Sequence, residues 1–243
     1  MLEIKDIYKT FNAGTINERK ALQGVSLKLE DGDFVTVIGG NGAGKSTMLN
    51  AVAGVWPVDS GSIIIDDVDV TGMPEHKRAK FLGRVFQDPM NGTAATMQID
   101  ENLAMAYRRG KRRNLRWGIK KEEKEKYYEM LKQFDLGLED RMTSKVGLLS
   151  GGQRQALTLL MATLQRPHLL LLDEHTAALD PKTAAKVLEL TLKLSFVLCG
   201  GIVCEVDILA FILSLCFCHL RLPPLSFCVL VLLLFSSKAP PEK

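Results

Sequence analysis

Gly39-Gly40-Asn41-Gly42-Ala43-Gly44-Lys45-Ser46 is the stretch that decides the fold. It satisfies G-x-x-x-x-G-K-[ST] without a mismatch. The residues on either side supply the setting the motif requires: Val35 to Ile38 is an apolar run of strand character, and Thr47 to Ala53 favours a helix. Glycines let the backbone curl so that successive N–H groups converge on phosphate oxygens, and the helix that follows adds its positive end. Lys45 has the reach for the β- and γ-phosphates, and the Ser46 hydroxyl can ligate Mg²⁺. The expected nucleotide contacts are Gly39, Asn41, Gly42, Ala43, Gly44, Lys45, Ser46 and Thr47. The motif identifies a P-loop nucleotide-binding α/β protein without saying which kind.

Further along, Leu169-Leu170-Leu171-Leu172 is an unbroken apolar run, the pattern of a strand buried on both faces of a parallel sheet. It ends in Asp173-Glu174. Ligands bind beyond the carboxyl ends of strands in such sheets. Asp173 can therefore hold the Mg²⁺ that Ser46 touches, and Glu174 can act as general base on a water attacking the γ-phosphate. Adjacent strand residues point to opposite faces, so two neighbouring carboxylates can carry two roles. Between these landmarks, Leu27, Leu29 and Phe34 to Ile38 predict two strands around the turn Glu30-Asp31-Gly32-Asp33. Ile63 to Ile65 and Leu82 to Phe86 predict strands, Pro74 to Lys80 a short helix, and Glu122 to Phe134 a polar helix with one apolar stripe.

Leu149-Ser150-Gly151-Gly152-Gln153 resembles the LSGGQ signature of ABC ATPases, and with the two motifs above in this order the chain is identified as a member of that family. Ser150 and the N–H groups of Gly151 and Gly152 would open a helix and form a second anion site at its N-terminus. The resemblance implies a P-loop NTPase core with a parallel sheet, an N-terminal antiparallel β subdomain and an inserted helical subdomain at about 88–166. It also implies a head-to-tail dimer around two ATP, in which the signature of one protomer, Ser150 to Gln153, meets nucleotide held by the other. Phe11 takes the place of the aromatic that stacks on adenine, with Tyr8 as a second candidate. Gln87 looks like the Q-loop glutamine that senses Mg²⁺, and Ala178-Leu179-Asp180 resembles the D-loop. Lys45 and Ser150 would stabilise phosphate charge. The expected partners are a second copy and separate transmembrane permease subunits, at the cytoplasmic face of the membrane. The Asn91 to Thr96 loop would lie near the groove for the transporter's coupling helix.

Other features have plainer readings. The net charge of +3 is too small to indicate nucleic acid. Single-cassette organisation without a heptad run argues against an ABC protein of DNA repair or translation. The basic stretch Arg108 to Lys126 reads as a solvated face, and His76 and His168 as lone surface histidines. The N-terminus carries no pattern of a secretory signal peptide.

The composition changes near Leu192. The expected ATP-binding domain is 1–191, followed by an atypical apolar tail over 192–243 holding all five cysteines. The family expects a strand here ending in a histidine that contacts the γ-phosphate; Gly201 to Asp207 has none, and His219 sits in an apolar run. Three readings compete: an out-of-frame end, which the abrupt change favours; a membrane anchor; and a divergent end in which Ile202 to Val206 fills the missing strand's slot. The runs Ile208 to Leu220 and Leu225 to Phe235, 13 and 11 residues long, fall short of the ~20 needed for a span. The leading reading is an ATP hydrolase, the ATPase subunit of a membrane transporter; the alternative, without the histidine, is an ATP-binding module with little or no turnover.

Overall fold

A computed structural model describes residues 1–111, 118–173, 179, 181–198 and 228–234. It divides into two compact units: Met1–Gly83 with Pro167–Glu174 and Phe196–Lys243, and Arg84–Arg166 with His175–Ser195.

The first unit holds two sheets. One is wholly antiparallel, in the order β2-β1-β4-β5, from β1 (Leu2–Phe11), β2 (Arg19–Leu29), β4 (Ser60–Ile65) and β5 (Val68–Asp69). Alternation places Leu2 and Ile4 in the core. An irregularity between Ile4 and Ile7, with Asp6 at φ 44°, shifts the pleat by one residue so that Ile7 also faces inward. This is the expected antiparallel subdomain.

The second sheet has the order β3-β8-β7-β6, with β3 Phe34–Gly39, β6 Leu82–Val85, β7 Leu169–Asp173 and β8 Cys228–Leu234. All four leucines of β7 are buried. Each contributes about 1.5–3 kcal/mol relative to an exposed side chain. Leu169 and Leu171 share a core with Met48, Leu49 and Val52 of the helix α1 (Lys45–Ala53). β3 and β7 are each antiparallel to β8, and so run parallel to one another, as the sequence predicts. The strand between them departs from expectation. It comes from the apolar tail, and it is Cys228–Leu234 rather than Ile202 to Val206, which lie outside the described residues. A reversed strand completes both hydrogen-bond ladders as fully as a parallel one, and the continuous apolar run suits a slot between two buried strands.

α1 ends at Gly54, whose φ of 82° is the left-handed conformation that glycine adopts freely. The helix terminus is plugged by Arg78, 2% exposed, at the end of α2 (Glu75–Arg78). Its guanidinium donates to the carbonyls of Ala51 (2.8 Å), Val52 (2.9 Å), Thr71 (2.9 Å) and Met73 (2.8 Å). Burial lowers its pKa, the nearby Asp69 opposing the shift.

The second unit is helical: α3 (Ile99–Tyr107), α4 (Lys121–Lys132), α5 (Gly151–Thr163) and α6 (Pro181–Leu198). The lysines of the basic stretch, Lys111, Lys120, Lys121, Lys124 and Lys126, are exposed, in keeping with a solvated face, while specific contacts tie several of its cations into the unit. Arg108 pairs with Glu123 at 2.9 Å and Lys124 with the buried Asp100 at 3.0 Å. Arg109 donates to the Ala162 and Gln165 carbonyls, and Lys111 and Lys126 lie over the Tyr107 ring. Residues 112–117 lie outside the described residues. In the first unit, His168 is not alone either: its Nδ1 contacts Asp66 and its ring packs edge-on against Phe81.

Candidate nucleotide site

β3 delivers the chain into the glycine-rich loop, and α1 takes it out. Gly44 caps α1 at φ 88°, and a Cβ there would stand 2.5 Å from the Ala21 carbonyl oxygen. Only glycine brings the loop this close to β2. The Lys45 ammonium folds back on the loop and donates to the Gly39 (2.7 Å) and Gly40 (2.9 Å) carbonyls. Arg19 of β2 braces the loop from outside by donating to the Gly42 carbonyl at 2.9 Å.

Beside the loop lies a cavity of about 580 Å³. Its lining includes Asn41, Gly42, Gly44, Lys45, Ser46 and Thr47 from the motif, and Phe11. Gly39 and Ala43 are not among the lining residues; they face each other, and a Cβ on Gly39 would fall 3.2 Å from that of Ala43. Tyr8 does not line the cavity either, since its phenol lies against Gly24. The lining also includes Asn12, Asn17, Arg19, Ala21 and Trp56, which sequence reading missed. No local pattern marks them, since they are far from the motif in the chain and reach the cavity through the β1–β2 pairing and the end of α1.

The donors fit a triphosphate: an ammonium, hydroxyls and a tight glycine cradle at a helix N-terminus. Ser46 is on the cavity wall and Asp173 half-buried at the end of β7; these two residue types suit Mg²⁺ held jointly with phosphates. Glu174 and His175 lie outside the described residues, as do Ala178, Asp180 and His219.

In the second unit, Ser150 caps α5. Its hydroxyl accepts from the Gln153 N–H at 3.3 Å, and the Gln153 side chain accepts from the Ser150 N–H at 3.2 Å. This reciprocal box fixes the start of the helix. Ser150 and Gly151 are exposed, whereas Gly152 is buried. A Cβ on Gly152 would overlap the Thr183 methyl of α6. Gly152→Ala is therefore expected to lower stability by about 1–3 kcal/mol, as overpacking does. Urea denaturation of the single variant and of Gly152→Ala/Thr183→Ala checks this; the second change should restore most of the loss. α5 also holds the segment around Gln87. Buried Gln155 donates to the Phe86 carbonyl at 3.3 Å, and Arg154 donates to the Val146, Gly147 and Leu149 carbonyls.

A family profile described as ABC transporter matches residues 22–177. The chain belongs to the ABC transporter family. It is an ABC ATP-binding subunit, 43% identical over 194 residues to the tyrosine transport ATP-binding protein of Clostridioides difficile, covering 80% of this chain and 77% of that protein. It is 32% identical over 194 residues to a phosphonates import ATP-binding protein of Lactobacillus acidophilus, covering 77% and 72%. A dimeric bacterial ABC transporter cassette superposes with a TM-score of 0.68 at 31% identity, over 80% of this chain and 83% of that one. The same cassette as a post-hydrolysis dimer bound to ADP and phosphate matches equally well. The ABC subunit contains no helix, among the described residues, long and apolar enough to cross a membrane.

Proposed function

We propose that this chain is the ATP-hydrolysing subunit of an ABC membrane transporter, closing on a second copy around two ATP and driving separate transmembrane subunits from the cytoplasmic face. The observation that carries this reading is the glycine cradle, with Lys45 and Ser46 opening α1 beside a cavity of nucleotide size. The dimeric cassette similar to this chain and the relatives named for transport support the rest.

The chemistry follows from the residues. The loop N–H groups and the Lys45 ammonium hold the β- and γ-phosphates in line, with Lys45 exchanging its loop carbonyls for phosphate oxygens. Ser46 and Asp173 would hold Mg²⁺, which when bound neutralises charge on the phosphates. Ser150 at the N-terminus of α5 offers hydrogen-bond donors to the nucleotide carried by the partner. Glu174 takes a proton from the attacking water as the γ-phosphorus–oxygen bond breaks.

One observation favours a second reading, an ATP-binding module with little turnover. The strand between β3 and β7 is Cys228–Leu234, antiparallel to both, and it carries no histidine such as the one that ends the strand the family resemblance leads one to expect. Phosphate release under saturating MgATP separates the two. Wild type is expected to exceed Glu174→Gln by about 10²-fold or more, the usual contribution of a general base. Equal rates, with ATP bound by both, would replace the first reading with the second.

A further inference from the structure

Phe11 and Trp56 come from distant parts of the chain and meet on the wall of the nucleotide cavity. Their ring centroids are 5.0 Å apart and their planes 81° apart. Both residues are partly open rather than fully packed away. Trp56 is held there from two sides. On one, the chain turns sharply after α1: the Val55 N–H donates to the Asn50 carbonyl at 2.9 Å, behind Gly54 and the Arg78 plug. On the other, Asp59 ties the segment to the end of β1. Its N–H donates to the Tyr8 carbonyl at 2.8 Å, and its carboxylate accepts from the Thr10 N–H at 2.6 Å and Lys9 Nζ at 3.0 Å. Those bonds also position Phe11, the next residue in β1. The two rings are thus braced in a fixed right-angled corner.

Such a corner suits a flat heterocycle. A base laid on one ring stands edge-on to the other, an arrangement that aromatic quadrupoles favour. The phosphate cradle borders the same cavity, so one ligand can use both ends.

We propose that Trp56 is a base-recognition residue of this site, forming with Phe11 a two-walled aromatic corner for the nucleobase. The proposal rests on the nucleotide-binding reading above. Stacking is available to every base, so the corner strengthens binding without choosing strongly between purines.

Titration calorimetry of the full chain with MgATP, MgGTP and magnesium tripolyphosphate tests it, the last probe having no base. Trp56→Ala is expected to weaken ATP and GTP alike, by about 5- to 100-fold, and to leave tripolyphosphate unchanged. Trp56→Phe, which keeps a ring, should retain most of the affinity. The only other tryptophan is Trp117. In a Trp117→Phe chain, the remaining emission should therefore shift on adding ATP and stay constant with tripolyphosphate. Unchanged ATP affinity in Trp56→Ala, equal losses of ATP and tripolyphosphate, or emission indifferent to ATP each overturns the assignment. If wild type binds neither ATP nor tripolyphosphate, the phosphate-cradle reading itself falls, and this one with it.

Discussion

Lys45→Ala is expected to weaken ATP binding by about 10- to 100-fold, the worth of a lost charge-assisted hydrogen bond. Residual turnover should fall by about 10²–10³, because the same ammonium stabilises charge that grows in the transition state. The geometry explains why alanine cannot substitute. Lys45 already points into the loop, donating to the carbonyls of Gly39 and Gly40. These bonds hold a positive charge where the phosphates arrive, so little rearrangement is needed on binding. Removing the ammonium takes a donor from both carbonyls, although that of Gly40 still accepts from the Ala43 N–H at 3.2 Å, and leaves an anion site with less charge. Calorimetry with MgATP, beside phosphate release, measures both effects. An affinity equal to wild type would show that the loop is not the phosphate site.

Arg78→Met has the largest expected effect on stability, a loss of about 3–4 kcal/mol, since buried acceptors left without donors carry their full desolvation cost. Methionine keeps the unbranched stem and most of the volume, so the loss comes from the guanidinium. It donates to four main-chain carbonyls, two of them in the last turn of α1, of which that of Ala51 also accepts from the Gly54 N–H at 3.2 Å. Helix carbonyls there have no partner within the helix itself. A lysine at the same position offers a compact ammonium and recovers only part of the loss. Urea denaturation followed by circular dichroism should show a lower midpoint with an unchanged slope. A midpoint at the wild-type value would mean that water serves these carbonyls as well as Arg78 does.

The nucleotide end of the fold was legible because its chemistry is local. A tight loop, a lysine and a hydroxyl must be neighbours in the chain to cradle phosphate, so the motif places β3 and α1 directly. The four leucines of β7 announced burial on both faces for the same reason. Arg78 could not be read this way. It sits in a short charged helix, and nothing in its neighbourhood says that its guanidinium turns inward to the end of another helix. Trp56 was equally silent, since its meeting with Phe11 depends on a turn after α1 and on Asp59 reaching back to β1. The basic stretch is the exposed face its charge suggests, but charge alone does not reveal that Lys111 and Lys126 lie over the ring of Tyr107. The tail misled in direction: apolar composition marks a segment that can fill a sheet slot, but not which segment or which way it runs.

The strand of the tail that joins the second sheet has a consequence for how the protein is made. Phe34 pairs with Leu233, and Leu169 with Leu234, so both flanking strands leave the ribosome before the one that unites them. Until it emerges, β3 and β7 have no neighbour in common, and each carries a row of unanswered amides and carbonyls along an apolar strand. Contacts so distant in the chain form slowly, and a nascent polypeptide waiting in that state is exposed to wrong pairings. Biogenesis of this subunit therefore turns on a late arrival: translation must pass through the apolar segment before the strands flanking the nucleotide are joined, and molecular chaperones are the natural guardians of that interval.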